Sequence, residues 1–196
     1  MRTITRAIVR GGIEMVYSQG FNPHPRISLP LPKSVGVEAE DELAGICIEL
    51  PDENESIAQL ESRIAEQLPS GCTLIGLEIR EPNVSFAAAA AVYVLPIQPA
   101  FLTRIAAAVQ DFRRRLGSGD SIVVERRIDE RGNIRSVNVT HYVESFELTG
   151  NELSVKCNIS PSGTIRIEEI MRLFGCDPSM LAGPIRRTFV QWIQNN

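Results

Sequence analysis

Lysine is nearly absent from this chain: Lys33 and Lys156 are the only two among 20 cationic residues. The other cations are arginines, whose planar guanidinium suits bidentate contacts with carboxylate or phosphate; a GC-rich genome gives the same bias. Histidine is as scarce, with His24 and His141 alone, too few for a self-contained histidine-rich metal site. The four cysteines, Cys47, Cys72, Cys157 and Cys176, form no Cys-x-x-Cys pair and no zinc-like cluster. Cys47 and Cys157 fall inside apolar strand patterns and read as small buried hydrophobes. There is no Gly-x-Gly-x-x-Gly, no phosphate-binding P-loop, no His-Glu-x-x-His and no nucleophile elbow. Those absences speak against an independent enzyme. No secretory leader is legible, and the longest apolar run, Phe86 to Ile97, has 12 residues, short of the roughly 20 that span a bilayer as a helix. The expectation is a cytoplasmic protein with reduced thiols and no membrane contact.

What is present is an ordinary globular composition, 43% hydrophobic and 22% charged over 196 residues. That length suits one larger domain or two small ones and buries a core without staples. The net charge of −4 gives no global signature of a nucleic-acid binder, but the charge is unevenly spread. Residues 1–34 carry five cations against Glu14, a net +4; residues 37–68 carry ten acids against Arg63, a net −9; residues 104–135 carry eight arginines against five acids, a net +3. Each cluster reads either as a solvated, internally paired surface or as a contact site.

Periodicity predicts the elements. Ile4, Ala7 and Ile8 give a short helical stripe with Arg2, Arg6 and Arg10 on another face, stopped by Gly11-Gly12. Strand-like runs follow at Ile13–Tyr17, Arg26–Leu31, Val35–Val37 and Leu43–Leu50, with Pro30 and Pro32 marking an irregular edge. After a turn over Pro51–Ser56, a helix is predicted over 56–68, then a strand over Cys72–Arg80. Residues 81–90 read as a linker. Beyond it come a strand at Val92–Pro96, a helix over 100–116, strands at 121–128 and 134–139 around a turn at Asp129–Asn133, a hairpin of 143–148 with 153–159, a helix over 168–174 and a final strand over 185–192. The predicted fold is α+β. It comprises two ferredoxin-like units of βαββαβ type, residues 1–82 lacking their N-terminal strand and residues 83–196 in an elaborated form.

The densest special chemistry lies in Tyr17-Ser18-Gln19-Gly20-Phe21-Asn22-Pro23-His24-Pro25-Arg26. Gly20 takes a positive φ at little cost, and Pro23 and Pro25 fix their own φ while biasing Asn22 and His24 toward extended backbone. The segment should be a stiff loop that presents Ser18, Gln19, Asn22, His24 and Arg26 in set directions. His24 either reads a phosphate, ligates a metal with another chain or moves a proton, or else satisfies backbone groups of the turn. Phe21 either stacks on a base or anchors the core. If the first helix packs beside the loop, Arg6, Arg10 and Arg26 surround the Gly20–Asn22 backbone with about one phosphate's worth of space. Alternatively they pair with Glu38, Glu40 and Asp41, an acidic ridge that with Glu42 is also a candidate Mg²⁺ site. His141 reads as structural.

Arg6-Ala7-x-x-Arg10, then Tyr17 to Pro25, then Ser28, Pro30, Pro32, Gly36 and Glu38-x-Glu40, resemble the radical-SAM-linked protein family. That bacterial family has no settled activity, and its members stand beside, or are fused to the C-terminus of, a radical SAM protein. The sharp resemblance covers residues 1–50; a looser one continues through Leu68-Pro69-Ser70-Gly71 to Arg186-Arg187-Thr188. The resemblance implies a strand ahead of the first helix, ending in a Ser-His-Leu-Asp segment, which this sequence does not contain, so it reads as N-terminally shortened. It also implies a radical SAM partner that carries the iron–sulfur cluster and S-adenosylmethionine, because this chain has no Cys-x-x-x-Cys-x-x-Cys. The functional expectation is a non-catalytic accessory or substrate-presenting protein with no cofactor of its own. Its binding residues would be Arg6, Arg10, Ser18, Gln19, Gly20, Phe21, Asn22, His24 and Arg26. The alternative is an RNA-binding module in RNA modification or processing, motivated by the scaffold and the local basic patches. An enzyme built on His24 and the acidic ridge ranks third.

Overall fold

The computed structural model describes residues 2–49, 56–81, 84–129 and 132–195. The turn predicted over Pro51–Ser56, apart from Ser56 itself, lies outside the described residues, as do the predicted boundary at 82/83 and the hairpin tip at Glu130-Arg131. The elements run α1 (Arg2–Arg10), β1 (Ile27–Ser28), β2 (Val37–Ala39), β3 (Gly45–Ile46), α2 (Ile57–Gln67), β4 (Ser85–Pro96), α3 (Leu102–Gly117), β5 (Val123–Arg127), β6 (Ile134–Asn138), β7 (Val143–Thr149), β8 (Glu152–Asn158), α4 (Ile167–Leu173) and β9 (Ile185–Asn195). The fold is mixed α+β. The chain divides into two compact units. One holds the residues up to Pro30, Leu43–Phe86 and the C-terminal end; the other holds Leu31–Glu42 and Ala87–Ile193.

The first unit is built on two helices. α1 buries Ala7 and Ile8 and leaves its arginines outside. It ends as predicted at Gly11-Gly12, where Gly12 takes a φ of +69°. The helices meet here: a side chain at Gly11 would stand 3.2 Å from the carbonyl of Arg63, and Arg63 Nε donates to the Gly11 carbonyl at 2.7 Å. α2 opens on a capping box, with Ser56 Oγ accepting from the Gln59 amide and Gln59 reaching back to the Ser56 amide. Ile8, Ile13, Met15, Leu60 and Ile64 form the core, flanked by Ile4, Ile27, Ile46, Ile48, Leu74 and Leu77.

The β structure of this unit is sparse. β1 and β3 pair antiparallel for two residues each, with Ile27 opposite Ile46. Cys47 uses both backbone groups on one side: its carbonyl accepts from Val16 N and its amide donates to Arg26 O, each at 2.9 Å. Val16 and Arg26 therefore belong to one interrupted edge, and the residues between them are thrown out as a loop. The strand predicted at Cys72–Arg80 does not form a ladder among the described residues; Leu77 N donates instead to the Glu61 carboxylate at 2.9 Å. Apolar alternation makes a strand only where a neighbouring edge is there to pair with it.

The second unit is a five-stranded sheet in the order β2-β9-β4-β8-β7. β4–β8 and β8–β7 are antiparallel, and β2 lies parallel to β9. Leu95, Leu153 and Val155 pack with Ile105, Val109 and Phe112 of α3 and Ile170 of α4 in one continuous core. The rings of Phe112, Phe146 and Phe174 meet in it at 5.1–5.4 Å between centroids. β5 and β6 form a separate hairpin.

Two expectations are corrected here. The alanine run taken as a linker is strand from Ser85 onward, with Ala88, Ala90 and Ala91 buried. Alanine disfavours strands in isolation, but a strand enclosed by neighbours on both sides needs small side chains where the layers are close. The second correction concerns 31–42, assigned by sequence to the first unit: it is held by β9. Arg187, only 1% exposed, donates to the carbonyls of Leu31 and Asp41 and to the Glu42 carboxylate. Arg186 bridges Glu40 and Glu152. Asp41 accepts from Val190 N and from Trp192 Nε1.

Candidate functional site

The segment singled out by sequence is a hydrogen-bonded hairpin. Ser18 N donates to the His24 carbonyl at 2.8 Å, His24 N donates to Ser18 Oγ at 3.0 Å, and Tyr17 bridges antiparallel to Pro25. The clasp engages the Ser18 hydroxyl as an acceptor, while the residue stays exposed. Gly20, at φ +150°, turns the chain at the tip where a side chain would be strained. Gln19, Phe21, Asn22, Pro23 and His24 are all exposed.

Phe21 decides between the two roles open to it. It is exposed to 110% of its reference area, so it anchors no core. Tyr17, at the root of the hairpin, is 47% exposed. A phenylalanine at a loop tip closed by backbone hydrogen bonds is an apolar plane held out in water and open to contact. His24 contributes its backbone to the clasp and leaves its imidazole exposed.

The arginines follow the same pattern. Arg2, Arg6 and Arg10 lie four residues apart on the exposed face of α1, about 6 Å per step. Among the described residues, the guanidinium groups of Arg2, Arg6, Arg10 and Arg26 make no hydrogen bond or ion pair. The expected pairing with Glu38, Glu40 and Asp41 is therefore not made. Glu40 and Asp41, with Glu42, are engaged by Arg186, Arg187 and Trp192 instead. Nor does any hydrogen bond join Arg6 or Arg10 to the Gly20–Asn22 backbone among the described residues. Sequence reasoning put Arg6 and Arg10 in the site and left out Arg2, although the i, i+4, i+8 spacing contains all three. Tyr17 was likewise passed over as strand.

Several arginines of the second unit are engaged internally. Arg126 donates to both oxygens of Glu169 at 2.8 Å and to the Thr164 carbonyl. Glu169 is 0% exposed. Burial pushes its carboxyl pKa up, but the hydrogen bonds from Arg126 and from the Arg166 amide outweigh this and hold it below the ordinary carboxylate range. An open hollow of about 400 Å³, lined by Glu125, Arg127, Ile134, Glu168 and Arg172, is crossed by a bond from Arg172 to the Glu125 carbonyl. Arg113 lies over the Phe146 ring at 5.6 Å. Among the described residues, no group of three His, Cys, Asp or Glu is placed to hold a metal ion. Cys157 is buried and its thiol pKa is pushed up to about 12, so it is a poor thiolate donor. Cys47, read as a buried hydrophobe, is only half-buried; Cys72 and His141 are exposed. No described helix is long and apolar enough to cross a membrane.

A family model described as an uncharacterized protein conserved in bacteria (DUF2344) matches residues 1–171. The chain belongs to that family. The DUF2344 match includes the hairpin, the arginine face of α1 and the second unit through most of α4. No curated protein matches the chain.

Proposed function

We propose that this protein is a non-catalytic, cytoplasmic accessory protein of a radical SAM enzyme, and that it engages the enzyme or the enzyme's substrate through the hairpin of residues 18–26. The single observation that supports this most is the full exposure of Phe21 at the tip of a loop closed on both sides by hydrogen bonds. Such a loop is ordered before it binds, so little entropy is lost on contact. In this reading the iron–sulfur cluster and S-adenosylmethionine belong to the partner. The resemblance of residues 1–50 to the radical-SAM-linked family supplies the partner's identity. The scaffold would be two ferredoxin-like units. In the second unit, βαββαβ connectivity through β4, α3, β7, β8, α4 and β9, with β9 beside β4 and β4 beside β8, supports that reading. The first unit would be a smaller variant of the same arrangement.

The test is affinity capture from lysate of a bacterium that encodes this protein, after nuclease treatment, with identification of the captured proteins by mass spectrometry. A radical SAM protein should be retained by the wild type and lost with Phe21→Ala/His24→Ala at unchanged circular dichroism. Its absence from the wild-type capture would remove the proposal.

A further inference from the structure

The second unit shows what arginines do here when their role is internal. Arg126, Arg186 and Arg187 all sit on carboxylates within 3.2 Å. The arginines of α1 do the opposite. Three guanidinium groups on one helix face have no bonding partner among the described residues, and like charges at i, i+4 cost stability in proportion to their number. A row of unpaired cations about 6 Å apart matches a polyanion with regularly repeated charge.

The helix and the hairpin also belong together. Ile4 and Ile8 of α1 share a core cluster with Ile13 and Met15, and Ile13 N bonds back to the Ile8 carbonyl. α1 and the strand that leads to the hairpin root at Tyr17 thus share one core. Beyond Tyr17 stand Phe21, a bare aromatic plane, and Gln19, Asn22 and His24, whose side chains offer donors and acceptors.

We infer that the arginine face of α1 and the hairpin together form a surface for single-stranded RNA, its phosphates on Arg10, Arg6 and Arg2 and a base stacked on Phe21. A duplex keeps its bases stacked inside and gives Phe21 nothing to cover; an acidic peptide has charge but no planar face. Stacking on an exposed aromatic beside a cationic track is the physical basis of single-strand binding. This deepens the preceding reading by naming the chemistry of what the hairpin holds, and rests on the hairpin being the recognition element.

The experiment is fluorescence anisotropy of the purified full chain with a labelled 12-nucleotide oligouridine, at 50 and 200 mM salt. Three phosphate contacts predict a loss of roughly eighteenfold in affinity across that range. Arg2→Gln/Arg6→Gln/Arg10→Gln, which keeps good helix formers on α1, should flatten this dependence. Phe21→Ala should weaken binding about tenfold with the salt dependence unchanged, and Phe21→Trp should restore it. Circular dichroism of each variant confirms the fold. The inference is overturned by absence of binding, by an unaltered salt dependence in the triple variant, or by an unaltered affinity in Phe21→Ala. Equal competition by duplex RNA or by poly-glutamate overturns it in favour of a generic anion surface. No second protein is present in this titration, so its failure leaves capture of a radical SAM enzyme unaffected, and the reverse also holds.

Discussion

The two units carry basic clusters of equal net charge, +3 over residues 1–30 and +3 over 104–135, and bond them to different degrees. In the second unit Arg126 closes on a fully buried glutamate, Arg113 lies over a ring and Arg114 pairs with Asp111. In the first unit Arg2, Arg6, Arg10 and Arg26 face solvent, although carboxylates stand close by in sequence at 38, 40, 41 and 42. The packing differs in parallel. The second unit closes a five-stranded sheet over a continuous core, whereas the first holds a two-residue ladder over a small cluster. The larger unit has the more extensive core and pairing, and the smaller leaves more of its special residues in water. A charge cluster is thus interpreted by its partners and not by its size.

The sharpest way to break this contrast is at the buried pair. Glu169→Ala leaves Arg126 without its carboxylate and should cost about 3–5 kcal/mol, read by urea unfolding through Trp192, the chain's only tryptophan. The same pair sets an acid limit. Because the folded carboxyl of Glu169 lies below its ordinary value, its stabilisation is fully present above roughly pH 4.3 and is lost as pH falls through the folded value. Glu169→Gln should flatten that acid limb. Next in size is core truncation: Phe112→Ala should cost about 3–5 kcal/mol and Leu60→Ala, in the looser cluster, nearer 2–3 kcal/mol. A larger loss at Leu60 would show the first unit to be the better packed.

Arg187→Ala removes donors to Leu31, Asp41 and Glu42. It should cost about 2–3 kcal/mol and open 31–42 to protease. Amides from Thr73 to Gly76 should exchange fast while those of Val155 and Cys157 are protected; comparable protection in the two would contradict the sparse pairing described for the first unit. Smallest of all, Arg6→Gln and Phe21→Ala should shift stability by less than about 0.5 kcal/mol. A larger loss would mean these side chains hold the fold after all.

Much of the architecture was legible, for local reasons. Gly11-Gly12 ended α1, Ser56 with Gln59 opened α2, and Gly150 turned the β7–β8 hairpin, because each of these signals is contained within a few residues. The alanine strand was not legible, since its conformation comes from the neighbours on either side of β4 and not from alanine's own preference. Cys72–Arg80 failed in the other direction, with strand-like residues and no edge to join. The hairpin's stiffness followed from its glycine and prolines. The outward position of Phe21 did not, because an apolar residue is more often buried than displayed. The fate of the acids at 40–42 depended on arginines nearly 150 positions away, beyond the reach of any local pattern.

That last distance has a consequence for biosynthesis. β2 pairs with β9, and Leu31 accepts from a guanidinium 156 residues further along. At about 5–20 residues per second a ribosome needs roughly 8–30 s to make the strand that receives this segment. While the residues between them are made, Leu31–Glu42, which interrupts the first unit in sequence, waits with its bonding partner unmade. The second unit cannot close until β9 has been made, and until then this segment depends on chaperones or on the acidic charge around it to stay apart from other strand edges.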